Sequence, residues 1–180
     1  GALIRFFREW TQTEDVAPGD KDPTIVEGFD ADYAASMGAS FDRFVSDQAR
    51  QGSLRSLLTS KTVWVDGHMA SFFGVQPPSD WQQVEVEGRS GLATQPLFLA
   101  SAAHYGGSSY VFRGRFILKR LLCMELGAPP GDAQAQFDAL PKPEDPTGKD
   151  LSASVNASPQ CAGCHTAIDL AGELWILLRS

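Results

Sequence analysis

The amino-acid sequence predicts a mainly α-helical protein: a helical body, a proline-rich linker, and a short terminal segment bearing a paired-cysteine motif. Three observations carry this prediction. Apolar side chains recur at a period near 3.6 in several stretches, while alternating apolar and polar residues are confined to short pieces. Six of the eleven prolines fall between residues 128 and 160. Two of the three cysteines lie within four residues of each other near the end of the chain.

Leu3, Ile4, Phe6, Phe7 and Trp10 are interleaved with Arg5, Arg8 and Glu9, the pattern of an amphipathic helix ending near Thr11. A polar loop follows from Gln12 to about Gly28, marked by Pro18-Gly19-Asp20 and Asp22-Pro23. A second helix is expected from Asp30 or Asp32 as N-cap, with Tyr33, Met37, Phe41, Phe44 and Val45 on its apolar face and Gly52-Ser53 at its end. Leu54 to Leu58 reads as a short helix, Thr62 to Val65 as an extended piece, and His68 to Phe73 as a helix stopped by Gly74 and Pro77-Pro78. Trp81 to Glu87 fits a strand or an extended loop. Helical periodicity returns over Gln95 to Ala103 and Tyr110 to Leu126, with Phe112, Phe116, Ile117, Leu121 and Met124 on a core-facing stripe and Gly127 as the stop. Cys123 reads as a small buried hydrophobe on that helix. Residues 128 to 160 combine their prolines with few aliphatic side chains, so regular helix is expected to be nearly absent there.

Composition narrows the function classes. With 43% hydrophobic and 21% charged residues, 180 residues suffice for a packed core. A net charge of -7 argues against a nucleic-acid binder, which needs concentrated positive charge. No apolar run reaches the length of a membrane span. The first residues carry no signal peptide, and the chain reads as a portion of something longer. It contains no glycine-rich phosphate loop, no Gly-x-Ser-x-Gly and no His-Glu-x-x-His.

The chemistry lies in Cys161-Ala162-Gly163-Cys164-His165. The spacing of Cys161 and Cys164 puts both sulfurs on one side of a helical turn. There the two thiols can add to the two vinyl groups of a haem, and His165 can place an imidazole nitrogen on its iron. The expected cofactor is covalent haem c, with Cys161 and Cys164 as thioether residues and His165 as proximal iron ligand. Ile168, Leu174, Trp175 and Leu177 are expected to give apolar cover to the ring. Zinc usually takes four protein ligands, and no second cysteine pair exists. A thioredoxin-like dithiol would need a βαβ context that the pattern lacks. His68 reads as a polar position at a helix start. Arg113, Arg115, Lys119 and Arg120 form a basic cluster suited to haem propionates or, more simply, to a solvated helix face.

These residues resemble the planctomycete-type multidomain cytochrome c proteins. The resemblance runs through Leu57 to Thr62, Trp64-Val65-Asp66, Ala70 to Val75, Arg89 to Thr94, His104, Ser108 to Gly114, Leu121-Leu122-Cys123 and Cys161 to Asp169. Tyr110 stands where the family has proline. After Ile168-Asp169 the family continues with Pro and Gly-Phe, where this chain has Leu170-Ala171-Gly172-Glu173. The haem segment is therefore expected to be truncated.

The resemblance implies haem binding and export, to the periplasm or cell surface. No particular catalytic reaction follows from it. The expected organisation is residues 1–88 as the C-terminal part of one helical domain, 89–127 as a helical segment of the next, 128–160 as linker and 161–180 as the haem attachment segment. The expected function is an electron-transfer module of a larger oxidoreductase, its donor and acceptor proteins open. The alternatives are an interaction or substrate-binding module with accessory haem, and a metal or dithiol site without haem. For the distal side of the iron, His104 is the candidate ligand. It coincides with the histidine of the family-like stretch and precedes the flexible Gly106-Gly107-Ser108-Ser109, whereas Met37, Met69 and Met124 fall in apolar helical patterns.

Overall fold

The computed structural model describes residues 1–14, 16, 21–22, 24, 28–51, 53–104, 107–144 and 146–177, with the backbone alone for 108 and 174–177. Of the expected punctuation, Pro18-Gly19-Asp20, Pro23, Gly52 and Gly106 lie outside the described residues. The chain is mainly helical and divides into two compact units, Gly1–Gly106 with Ile176–Ser180, and Gly107–Trp175. Among the described residues no helix is long and apolar enough to cross a membrane.

The first unit is organised by α2 (Ala31–Gln51). Asp30 is its N-cap: the carboxylate accepts a hydrogen bond from the Tyr33 amide at 2.8 Å. Met37, Phe41, Phe44 and Val45 recur every three or four residues and form one buried stripe, as the sequence pattern requires. Against it pack Leu57 of α3 (Leu54–Thr59), Val63 and Val65 of β1 (Thr62–Val65), Met69, Leu92, and Leu97 of α4 (Pro96–Ser101). Helix α1 (Ala2–Thr11) rests Phe7 and Trp10 on this core, while Leu3 and Phe6 stay exposed. Arg8 fastens it to α2 by donating to Asp42 at 2.7 Å and to the Gly38 carbonyl at 2.8 Å.

The ambiguous Trp81 to Glu87 stretch contains β2 (Gln82–Glu85), antiparallel to β1 with Val63 opposite Val84. Val63 and Val65 point inward. On the other face, the Trp64 indole donates to Asp47 at 2.8 Å. His68 to Phe73 is a turn followed by a single 3₁₀ turn, Ser71–Phe73, instead of the expected helix. One oxygen of Asp66 accepts from the amides of both His68 and Met69, which commits the backbone to a tight turn. His68 is exposed on it.

In the second unit, α5 (Tyr110–Phe116) is capped by the Ser109 hydroxyl and runs into a π turn, Ile117–Leu121. Phe116 and Leu118 are buried while Phe112 is exposed. The helix stops well before the expected Leu126. Cys123 takes a left-handed backbone (φ 54°), and the Met124 amide turns back to the Leu118 carbonyl at 2.8 Å. This termination corrects two expectations: Cys123 and Met124 are exposed, not part of a core.

The expected linker also contains helix. Residues 128 to 160 hold α6 (Ala133–Asp138) and α7 (Gly148–Ala157). The prolines punctuate these helices and do not dissolve them: Pro129 and Pro130 precede α6, Pro141, Pro143 and Pro146 separate α6 from α7, and Pro159 is the first residue of α8 (Pro159–Leu177). A proline in the first helical turn removes an amide that has no partner there anyway. Helix α7 starts with a reciprocal cap between Thr147 and Asp150. Hydrogen bonds from Thr147 hold the Asp150 carboxyl below its ordinary value. Ser152 and Val155 turn inward.

Residues 161 to 177 belong to one helix, with α7's neighbour Pro159 at its head. Ile168 and Ala171 share a buried cluster with Leu118, against which Val111, Ile117 and Leu126 pack. Helices α5 and α8 cross backbone to backbone at two glycines. A Cβ on Gly114 would collide with the Ile168 carbonyl, and one on Gly172 with the Tyr110 carbonyl. Because neither neighbour is a flexible side-chain end, relief requires the helices to part. Gly114→Ala is therefore expected to destabilise the protein by about 1–3 kcal/mol or more, measured by denaturant unfolding. An unchanged midpoint would mean that the two helices separate without loss.

Candidate haem attachment site

The motif occupies the first turns of α8. Pro159 starts the helix, and the amides of Cys161 and Ala162 donate to the Ser158 carbonyl at 3.0 and 2.8 Å. Cys161, Cys164 and His165 then follow at helical spacings of three and four, on one stripe. Both cysteines are free thiols, Cys161 half-buried and Cys164 exposed. No Cβ neighbour crowds Gly163 between them.

His165 is held from behind. Its Nδ1 lies 3.1 Å from Oδ1 of Asp169, one turn further along α8. The imidazole keeps 29% of its surface exposed, while the carboxylate keeps only 4%. The other carboxylate oxygen accepts from the Ser152 hydroxyl at 2.7 Å and from the Asn156 amide at 3.0 Å, both on α7. Asn156 also donates to the Ser152 carbonyl at 2.9 Å, and its own oxygen accepts from the Thr166 hydroxyl at 3.0 Å. An ionised carboxylate only accepts, so this pairing calls for the proton on Nδ1, and in a neutral ring of that tautomer the lone pair is on Nε2.

This donor set fits a haem of the c type. Two unpaired thiols and one imidazole share a helical stripe, and the porphyrin itself supplies four nitrogens, so the iron asks only one or two ligands of the protein. A bare metal ion asks more. Among the described residues no group of three or more His, Cys, Asp or Glu side chains is arranged to hold one.

The structure brings together Cys161, Cys164 and His165. His104 lies in the other compact unit, exposed, at the end of the two-residue extended piece Ala103–His104. Ile168 is buried in the cluster with Leu118, so it is not free to cover a haem ring. The side chains of Leu174, Trp175 and Leu177 lie outside the described residues. In the basic cluster Arg113 is buried with its guanidinium over the Tyr110 ring, while Arg115, Lys119 and Arg120 are exposed. Met37 and Met69 are core. Sequence reasoning assigned no role to Asp169, Ser152 or Asn156. The His-x-x-x-Asp spacing on a helix was the available signal for Asp169, but nothing local announces the pair from α7.

Two family models match successive stretches of the chain, the second beginning within the first compact unit. Residues 1–75 match PSD4, described as a protein of unknown function (DUF1592), and residues 89–174 match PSCyt3, described as a protein of unknown function (DUF1588). Two successive stretches of the chain are thus similar to two different domain families. Both are found in planctomycete-type multidomain cytochrome c proteins. The PSCyt3 match takes in the whole second unit except Gly107–Trp175's last residue, and with it the motif and its Asp169 support. No curated protein and no solved structure matches the chain.

The geometry predicts the tautomer of His165. Long-range ¹H–¹⁵N correlation spectra of the neutral ring in the reduced apo-protein should show the proton on Nδ1, although Nε2–H is the commoner form of a free imidazole in water. An Nε2–H spectrum would break the assignment of Asp169 as acceptor.

Proposed function

We propose that the chain carries a covalent c-type haem on Cys161 and Cys164, with His165 as proximal ligand, and serves as an electron-transfer module of a larger exported oxidoreductase at the periplasm or cell surface. The observation that carries this reading is the position of the Cys-x-x-Cys-His motif on α8, with the Nδ1 of His165 engaged by a buried carboxylate. Such a partner is what an imidazole that ligates a metal through its other nitrogen commonly has. The family matches support the same reading, because both families are found in cytochrome c-type proteins.

In this reading each thiol adds across one vinyl group: a sulfur–carbon bond forms, the thiol hydrogen passes to carbon, and no oxidant is consumed. The bound haem would supply one-electron chemistry, and the protein would set its potential through ligand, burial and hydrogen bonds. His165 would offer Nε2. Phe112, Leu122, Met124 and Leu170, all exposed in the second unit, provide apolar surface of the kind that the faces and edge of a haem require. Only the proximal ligand is assigned.

The test is expression with export in a host that has c-type haem maturation, followed by a denaturing gel stained for haem. The unaltered protein should hold its stain, and Cys161→Ala together with Cys164→Ala should abolish it. Unstained wild-type protein, produced alongside a stained control cytochrome, would end the haem reading.

A further inference from the structure

We infer that Asp169, held by Ser152 and Asn156 of α7, is a positioning residue that lowers the reduction potential of the haem through His165; the inference rests on the haem reading above. The warrant is geometric. Asp169 sits at the centre of a closed set of polar contacts: His165 Nδ1 at 3.1 Å on one oxygen, and Ser152 Oγ at 2.7 Å with Asn156 Nδ2 at 3.0 Å on the other. The charge is nearly fully buried, where solvent screens it little.

A buried anion bonded to Nδ1–H has two effects. It fixes the ring orientation and tautomer, so Nε2 is presented without a search. It also draws the Nδ1 proton toward itself, which gives the ring partial imidazolate character and makes Nε2 a stronger donor. A stronger donor favours ferric over ferrous iron, so the potential falls. Ser152 and Asn156 compete for the same carboxylate. Each bond they donate withdraws negative charge from the oxygen facing His165, so α7 moderates the effect as well as anchoring it. The three residues act as a graded control: Asp169 pushes the potential down, and Ser152 restrains the push.

This makes predictions of opposite sign. Asp169→Asn keeps a side-chain oxygen of similar shape and removes the charge, so the midpoint potential should rise. A tenfold change in the reduction equilibrium, about 59 mV for one electron, is the expected scale. Ser152→Ala keeps the charge and removes a competing donor, so the potential should fall, by less. A purely structural role would loosen the site in both variants and shift both potentials in the same direction.

The experiment is spectroelectrochemical titration of wild type, Asp169→Asn and Ser152→Ala, each first shown by haem stain to carry covalent haem. Shifts of opposite sign support the inference. Unchanged potentials in stained variants, or shifts of one sign, overturn it while leaving the haem reading intact. Absence of haem from wild type overturns both. If Asp169→Asn does not accumulate, the sign of the Ser152→Ala shift decides alone, a fall supporting the inference and a rise or no change overturning it.

Discussion

A carboxylate buried in a protein interior must find hydrogen-bond donors for both oxygens, because leaving one bare costs on the order of several kcal/mol. Asp169 meets that requirement from two helices, with His165 on α8 and with Ser152 and Asn156 on α7. The consequence extends well beyond the ring it touches. Helix α7 has to form and lie against α8 for the charge to be tolerated. The stretch before the motif is therefore drawn into the unit despite its prolines and sparse aliphatic side chains. A region that composition alone marks as a passive connection becomes the back wall of the site.

The glycine crossing of α5 and α8 decides which part of α8 is left for chemistry. Cys161, Cys164, His165, Ile168 and Gly172 lie on one continuous helical stripe. Gly114 and Tyr110 of α5 meet that stripe at Ile168 and Gly172, so its C-terminal half is consumed by packing. The N-terminal half, with the thiols and the imidazole, keeps surface exposure. Larger residues at either glycine would lift α5 away and remove the closely packed base on which Asp169 is buried. Close packing and the buried charge are thus parts of one arrangement: the crossing secures α8, α7 docks through Ser152 and Asn156, and His165 receives a fixed orientation.

The first unit follows its local patterns more directly. The stripe of α2, the Asp30 cap and the alternation of Val63 and Val65 in β1 each arise from a period of 3.6 or 2 acting over a few residues, and the structure keeps all three. The short segments did not follow so simply. His68 to Phe73 has helical apolar spacing, but the two amides captured by Asp66 hold it as a turn. Tyr110 to Leu126 has a long helical pattern, but the helix passes into a π turn and Cys123 ends it early. In both places a few local hydrogen bonds outweighed a periodicity that is only a statistical preference for burial.

By itself the sequence determined that the protein is mainly helical, where the long apolar stripe of α2 runs, and that Cys161, Cys164 and His165 share one helical turn. Each of these follows from the spacing of residues near one another in the chain, and backbone geometry converts spacing into direction without outside help. Only the tertiary structure decided that the proline-rich stretch folds, that Cys123 and Met124 face outward, and that Asp169 stands behind His165 with Ser152 and Asn156 on its other oxygen. Those outcomes depend on residues 10 to 17 positions apart meeting across a helix pair, on a backbone crossing between Gly114 and Ile168, and on the need to compensate a buried charge. Such requirements arise from desolvation and close packing, which act on surfaces brought together in space and leave little trace in any single stretch of chain.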